Sequence, residues 1–183
     1  MSARIVVRSA DINDVPAMQA VENAAGERFR EIDDPRIAQR ADDPPYSADG
    51  LARAIAERRA WVALDNGGVV IGFAVAWTVD GEGHLEELAV TPEHGRRGVG
   101  RVLVDEVVVW ASKQRLPSIT LTTFRDVPWN APYYEKLDFR IVTTLTPALQ
   151  AMVDQQATWG LDPTLRVVMR RSLLDRRDHV AAR

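Results

Sequence analysis

Leu88-Ala89-Val90-Thr91-Pro92-Glu93-His94-Gly95-Arg96-Arg97-Gly98-Val99-Gly100-Arg101 runs from the end of an apolar strand, through a proline turn and a glycine and arginine loop, into a helix. The helix is read from Leu103, Val107 and Trp110, which recur at helical spacing between Arg101 and Arg115. Three glycines within six residues at a helix entrance mark an anion site. The first N–H groups of a helix point outward unpaired, the helix dipole adds positive potential, and glycine lets phosphate approach. Two common phosphate loops are disfavoured by residue type. Gly95 and Gly100 have the glycine spacing of a Walker A loop, but Arg101-Val102 follows where that loop needs lysine and a metal-binding hydroxyl. A Rossmann fingerprint needs a third glycine where Leu103 stands, and a βαβ unit before it.

Upstream of the loop, His84 to Val90 reads as a strand. It follows a hairpin, Ala60–Leu64 and Val69–Val79, whose Asn66-Gly67 pair predicts the turn, and a second turn over Asp80-Gly81-Glu82-Gly83. Before that, Arg4–Arg8 reads as a first strand and Val15–Ala25 as a helix with Val15, Met18 and Val21 on one face, Asp14 as its cap and Gly26 as its stop. Glu27–Pro45 reads as a long irregular stretch, and Ser47 caps a helix through Arg58. Downstream come a strand over 118–123, a short helix over 130–137 with Asn130 as cap, a strand over 140–145, a helix over 146–156 and a last strand over 165–171. The order β-α-α-β-β-β-α-β-α-β predicts an α+β (α/β layered) domain with helices on both faces of one mixed sheet. Residues 1–174 are expected to form this single domain, with 175–183 a frayed charged tail.

Composition narrows the chemistry. The 183 residues, 46% hydrophobic and 27% charged, suit one folded domain with a full core. With no cysteine, a disulfide scaffold, a thiolate zinc site, an iron–sulfur cluster and a cysteine nucleophile are excluded. A net charge of -3 offers no overall positive field to nucleic acid. The most apolar run, Val69 to Trp77, is far shorter than the ~20 residues needed to cross a bilayer. The first residues lack a signal peptide's apolar segment, so a cytoplasmic protein without membrane or nucleic-acid partners is expected.

The quoted loop resembles motif A of the GNAT family of acetyl-coenzyme A dependent N-acetyltransferases, whose core is Gln/Arg-x-x-Gly-x-Gly/Ala. A second stretch, Asn130-Ala131-Pro132-Tyr133-Tyr134-Glu135-Lys136-Leu137-Asp138-Phe139, is similar to motif B, Asn…Ala…Leu-Tyr-Glu-Lys-x-Gly-Phe. The two occur in the family's order and spacing, and the resemblance extends over nearly the whole chain. Gly95 stands where the family has Gln or Arg, and Asp138 where it has Gly. Aspartate tolerates a left-handed helix end better than most residues.

The resemblance implies the GNAT fold, with a mostly antiparallel central sheet, acetyl-CoA as co-substrate without a metal, and direct attack by an amine in a ternary complex. An alkylammonium is neutral in fewer than roughly one molecule per thousand at pH 7, which costs about 4 kcal/mol or more unless a base assists. By resemblance that base is Glu86 first and His84 second, with Glu87 a lesser candidate; strand alternation places His84 and Glu86 on one face. Tyr134 matches the family's tyrosine that protonates the leaving thiolate, and Tyr133, about 100° away on the helix, is assigned to packing. Leu88, Ala89 and Val90 are implicated in pairing the pantetheine arm, Gly95, Arg96, Arg97, Gly98, Val99, Gly100 and Arg101 in binding the diphosphate, and Asn130 in a further contact to coenzyme A.

On the acceptor side, Glu27 and Phe29, with Asp33 and Asp34, and Trp129 with Trp77 are candidates for an acidic, aromatic cleft that takes a cationic amine. The acceptor itself, small molecule or peptide, is not legible, and a homodimer stays open. Two rival readings are a non-catalytic acyl-CoA sensor and an unrelated nucleotide-binding enzyme.

Overall fold

The computed structural model describes residues 5–174. The expected frayed tail, 175–183, and Arg4 of the expected first strand lie outside the described residues. Seven strands hydrogen-bond in the order β1-β2-β3-β4-β5-β7-β6: β1 (Val6–Ser9), β2 (Ala60–Leu64), β3 (Val70–Val79), β4 (Glu82–Val90), β5 (Ser118–Phe124), β6 (Arg140–Val142) and β7 (Arg166–Ser172). The helices are α1 (Val15–Gly26), α2 (Pro35–Ala38), α3 (Ala48–Ala56), α4 (Val99–Lys113), α5 (Ala131–Glu135) and α6 (Pro147–Thr158). The expected mixed α+β sheet is present, with one parallel registered pairing, β4 with β5. The described chain forms two compact units, residues 5–77 with 85–107, and 78–84 with 108–174.

In the first unit, the apolar stripe of α1 and that of α3 bury Val15, Met18, Val21, Leu51 and Ala54 against Val62, Phe73, Val75 and Ala89 of the strands. Ser47 caps α3 as expected, its hydroxyl accepting the Gly50 N–H at 3.1 Å. Gly72 of β3 shows why the strand also has an opposite covered face. A Cβ there would meet the Ala89 carbonyl at 3.0 Å, Val99 at 3.1 Å and Leu103 at 3.2 Å, so α4 packs directly onto bare backbone. Strands buried on both faces read as apolar runs rather than alternations.

Two local expectations are corrected here. Asp14 makes no cap bond for α1; it closes a capping box with Asp11 around the 3₁₀ turn Ile12–Asp14 and takes two hydrogen bonds from Arg8, at 2.6 and 2.9 Å. A charged guanidinium outcompetes a helix end for the same carboxylate. The stretch 27–45 is not irregular but a succession of short helical turns, Glu27–Glu31, α2 and Gln39–Asp42, with Asp34 capping α2 through the Arg36 N–H at 2.9 Å. The β2–β3 turn falls on Asp65–Gly68 as expected, with Asn66 and Gly67 at its centre and the Gly68 N–H on the Asp65 carbonyl at 3.1 Å. Asp65 Oδ1 accepts the N–H groups of Gly67 and Val69, at 2.8 and 2.9 Å, and Gly68 carries the positive φ of 80°. Positive φ at two successive residues, as in a type I′ hairpin, falls instead on Asp80 and Gly81, at 50° and 76°, between β3 and β4.

In the second unit, Glu82 ties three strands together. Its carboxylate accepts from the Ser118 hydroxyl of β5 and from Arg170 Nη2 of β7 at 3.0 Å, and the ion pair brings Arg170 Nε to 2.9 Å. Thr146 caps α6 through the Leu149 N–H. Phe139, Ile119, Leu121, Leu149 and Met169 are buried without trace of exposure or nearly so.

Candidate functional site

The glycine and arginine loop lies wholly in the first unit. A single 3₁₀ turn, Pro92–His94, closes with Gly95 N–H on the Pro92 carbonyl at 3.1 Å, and the Thr91 hydroxyl meets His94 Nδ1 at 2.9 Å. Arg96 at φ 59° and Gly98 at φ 85° then turn the chain into α4, whose first closing bond runs from Val102 N–H to Gly98 carbonyl at 3.1 Å. Val99 is buried and anchors the helix, whereas Arg96, Arg97, Gly98 and Arg101 are exposed. Gly98 has open space where a Cβ would stand, and the first turn of α4 contains no acidic residue. The N–H groups that open a helix have no acceptor inside it, so they face this clear ground with the positive end of a 15-residue helix behind them.

Leu88, Ala89 and Val90, also in the first unit, are the last residues of β4; Ala89 is buried and its neighbours are half-buried. Thr91 N–H closes the strand on Ile71 of β3 at 3.0 Å. Registered pairing of β4 with β5 comprises Gly83 with Ile119 and His84 with Thr120, and stops there.

His84 belongs to the second unit and is 1% exposed. Its Nδ1 lies 2.9 Å from the Thr120 hydroxyl, which in turn donates to the Gly83 carbonyl at 3.2 Å. Burial depresses the imidazole to about 4, so it is neutral near pH 7. Glu86 and Glu87 are half-buried in the first unit.

Tyr134 sits on α5 in the second unit, half-buried, with its ring edge-on to Tyr133 at 5.5 Å and to Phe139 at 5.7 Å between centroids. Asp138 ends that turn in the left-handed conformation, φ 66°, as expected of a residue standing for glycine. Asn130 is corrected: its side chain makes no cap bond, and its main chain, at φ −110° and ψ −116°, accepts instead from Tyr133 and Tyr134 N–H, at 2.9 and 3.1 Å. Trp129 is half-buried in the same unit.

Of the acceptor candidates, Glu27 is exposed and paired with Arg30 at 2.9 Å, and Arg30 also holds Asp42 at 2.8 Å. Asp34 is engaged by Arg36 at 2.6 Å. Phe29 is half-buried on the same 3₁₀ turn as Glu27. These carboxylates are balanced locally. The acidic group that the sequence reading passed over is Glu22, whose carboxylate accepts the Tyr46 N–H at 2.9 Å and which burial lifts to about 7, with that hydrogen bond opposing. A signal existed: Glu22 follows Met18 by four residues and Val15 by seven, a charged residue on the buried stripe of α1.

No helix among the described residues is long and apolar enough to cross a membrane, and no cluster of metal-binding side chains occurs among them.

Comparison with known proteins places this geometry. The model of the acetyltransferase (GNAT) family matches residues 19–139. The ribosomal protein bS18-alanine N-acetyltransferase of Escherichia coli is 29% identical over 107 residues, 58% of this chain and 72% of that protein. Among solved structures, the PaiA N-acetyltransferase of Thermoplasma acidophilum in complex with coenzyme A superposes with a TM-score of 0.67 at 16% identity, over 92% of this chain and 99% of its own. The crystal structure of the ribosomal-protein-S18-alanine N-acetyltransferase of Escherichia coli gives 0.61 at 20% identity, over 94% and 97%. A sheet of this strand order, a glycine loop at the mouth of α4 and a family match across both motifs lead to one conclusion: the chain belongs to the GNAT family and is an N-acetyltransferase.

Proposed function

We propose that this enzyme transfers an acetyl group from acetyl-CoA to a primary amine by direct attack in a ternary complex. The opening of α4 carries the reading. Gly98 at φ 85° with empty space beside it, and a first helical turn free of acidic residues, form a cradle that fits a diphosphate. Gly95 to Arg101 would hold that group through main-chain N–H, with Arg96, Arg97 and Arg101 screening its charge. Main-chain groups of Leu88, Ala89 and Val90 would pair the cofactor's arm as an added strand does, and Asn130, whose side chain is not used as a cap, would add a contact. Acetyl-CoA bound there supplies an activated thioester carbonyl.

Glu86 is assigned as the group that takes the acceptor's proton. His84 is the second candidate, but its neutral imidazole, depressed to about 4, is the weaker base at pH 7. Tyr134 is assigned as the proton donor to the departing sulfur, its ring held in place by Phe139. For the acceptor, the similarity to an alanine N-acetyltransferase makes a peptide α-amine the first to assay. Glu27, Phe29 and Trp129 stay as candidates for its side-chain contacts.

The test is release of thiol from acetyl-CoA with and without a short peptide beginning in alanine, followed by mass analysis of the peptide. Amine-dependent thiol release with one acetyl group gained is expected. Coenzyme A that fails to bind the purified protein in calorimetry would remove the cradle, and with it the mechanism.

A further inference from the structure

Within the second unit, a pocket of about 200 Å³ lies between α6 and the strands β5, β7 and β6, and none of its side chains enters the chemistry above. Its walls are mostly apolar, with Leu145, Val153, Leu161, Val167 and Val168 among them. Two cations line it as well, Arg166 at the start of β7 and Arg125 just past the end of β5, and no carboxylate is among the described residues that do so. Gln150, Val153 and Gln156 reach it from one side of α6, where residues three apart are neighbours. Thr122 reaches it from β5, and Val168 is its registered partner on β7.

Arg166 is held in place by neutral groups. Its Nη2 donates to the Thr122 hydroxyl at 3.0 Å and to Oε1 of the buried Gln156 at 3.3 Å, and its guanidinium carbon lies 5.0 Å from the centre of the Phe124 ring. These three partners orient the guanidinium and cancel none of its charge. Thr122 Oγ1 also accepts from Gln156 Nε2 at 3.0 Å, so both of its lone pairs serve N–H donors and its own proton is left to give. Arg125 is exposed and stands at the mouth. Its main-chain N–H on the Leu165 carbonyl, at 2.9 Å, and its Nη1 on the Thr164 carbonyl, at 3.4 Å, tie it to the turn before β7. Asp162 of that turn is directed to Thr164, whose N–H and hydroxyl it accepts at 2.9 and 2.7 Å.

We propose that this pocket is a binding site for a small monocarboxylate with a branched aliphatic or aromatic body. Arg166 holds the carboxylate, with Arg125 and the Thr122 hydroxyl beside it, and the body is seated against Val153, Leu161 and Val168. A cavity of about 150 Å³ is enough for a benzene-sized ligand, so about 200 Å³ suits a molecule of roughly eight to ten heavy atoms. The planar fork of an arginine matches a carboxylate, and bonds between such charged partners are roughly twice as strong as neutral ones. An anion without a hydrocarbon body, such as inorganic phosphate, would leave the apolar wall wet. A neutral molecule of the right shape would fill the wall and forgo the charged bond.

The probe is 4-methylpentanoate, which has no amine and cannot be acetylated, so the result is independent of acetyl transfer. Titrated into protein labelled with ¹⁵N and at its methyl groups, it should shift the Gln156 side-chain amide and the Val153 and Val168 methyls together, saturably and with one dissociation constant. The neutral 4-methylpentanamide should bind at least roughly tenfold more weakly, and inorganic phosphate should leave those signals in place. Arg166→Gln should weaken binding of the acid by roughly tenfold or more and leave that of the amide unchanged. Because Arg166 also supports Thr122 and Gln156, two further variants accompany it. Arg125→Gln, at an exposed position, should weaken the acid by roughly threefold without altering the fold. Val153→Phe should fill the pocket and abolish binding of acid and amide alike with both arginines intact. The absence of a saturable shift, shifts confined to residues outside the pocket, or equal affinity for acid and amide would each overturn the proposal. So would an acid indifferent to both arginine changes, or one still bound by Val153→Phe.

Discussion

Single residues in this protein do more than their type announces. Asp14 has the look of a helix cap, yet its carboxylate serves the Asp11 N–H at 2.7 Å and a two-pronged Arg8. The Arg8 hydrogen bonds hold it below the usual carboxylate range against the opposing effect of burial. Asp14→Asn keeps the shape and removes the charge. We expect a loss of about 1–2 kcal/mol in urea denaturation at pH 7, shrinking toward zero as pH falls below the carboxylate range, because the native advantage exists only for the ionised form. A variant equally destabilised at pH 3 would show the effect to be packing. Tyr134→Phe tests the assigned proton donor. Turnover should fall by roughly a hundredfold with coenzyme A affinity nearly unchanged, since the ring contact with Phe139 survives; undiminished turnover would refute the role.

At the scale of elements, loops are decided by where positive φ falls. Gly68→Ala, at φ 80°, should cost about 1 kcal/mol, whereas Gly67→Ala meets only the Asp65 carboxylate, at 3.3 Å, and should be nearly neutral. Equal costs at both positions would contradict the turn described. At the head of α4, Gly98→Val places a β-branched residue at φ 85°, a conformation such residues rarely adopt. The loop should rearrange and the dissociation constant for coenzyme A rise by roughly tenfold or more, read by calorimetry. An unaltered constant would take the loop out of the site.

For the molecule as a whole, two buried groups pull the pH dependence of stability in opposite directions. His84 is depressed to about 4, so its contribution is complete above the ordinary histidine value and is lost as pH falls from there toward about 4. Glu22 is raised to about 7; the folded state binds the extra proton, so stability is highest below the ordinary glutamate value and declines as pH rises toward about 7. Glu22→Gln keeps an acceptor for the Tyr46 N–H and abolishes the second slope. Its stability should therefore rise with pH between roughly 4.5 and 6.5 more steeply than the wild type's. Parallel profiles would mean that Glu22 is not held neutral by the fold.

Motif and periodicity by themselves determined much of this protein: the order of strands and helices, the glycine loop at the mouth of α4, the Ser47 cap, and the left-handed Asp138. Each depends on a few neighbouring residues, and local sterics and hydrogen bonding act within one turn of chain. The tertiary structure alone decided the strand order, the halt of β4–β5 pairing at His84, the burial of His84 on Thr120, and the clasp of Glu22 and Gln19 on Tyr46. The last two depend on residues 24 to 36 positions apart, and the strand order on residues farther apart still. Their physics is desolvation and charge proximity, quantities that no local pattern encodes. The turn at Asn66-Gly67 was legible, but the positive φ at Gly68 and the two N–H groups that Asp65 accepts across the turn were not.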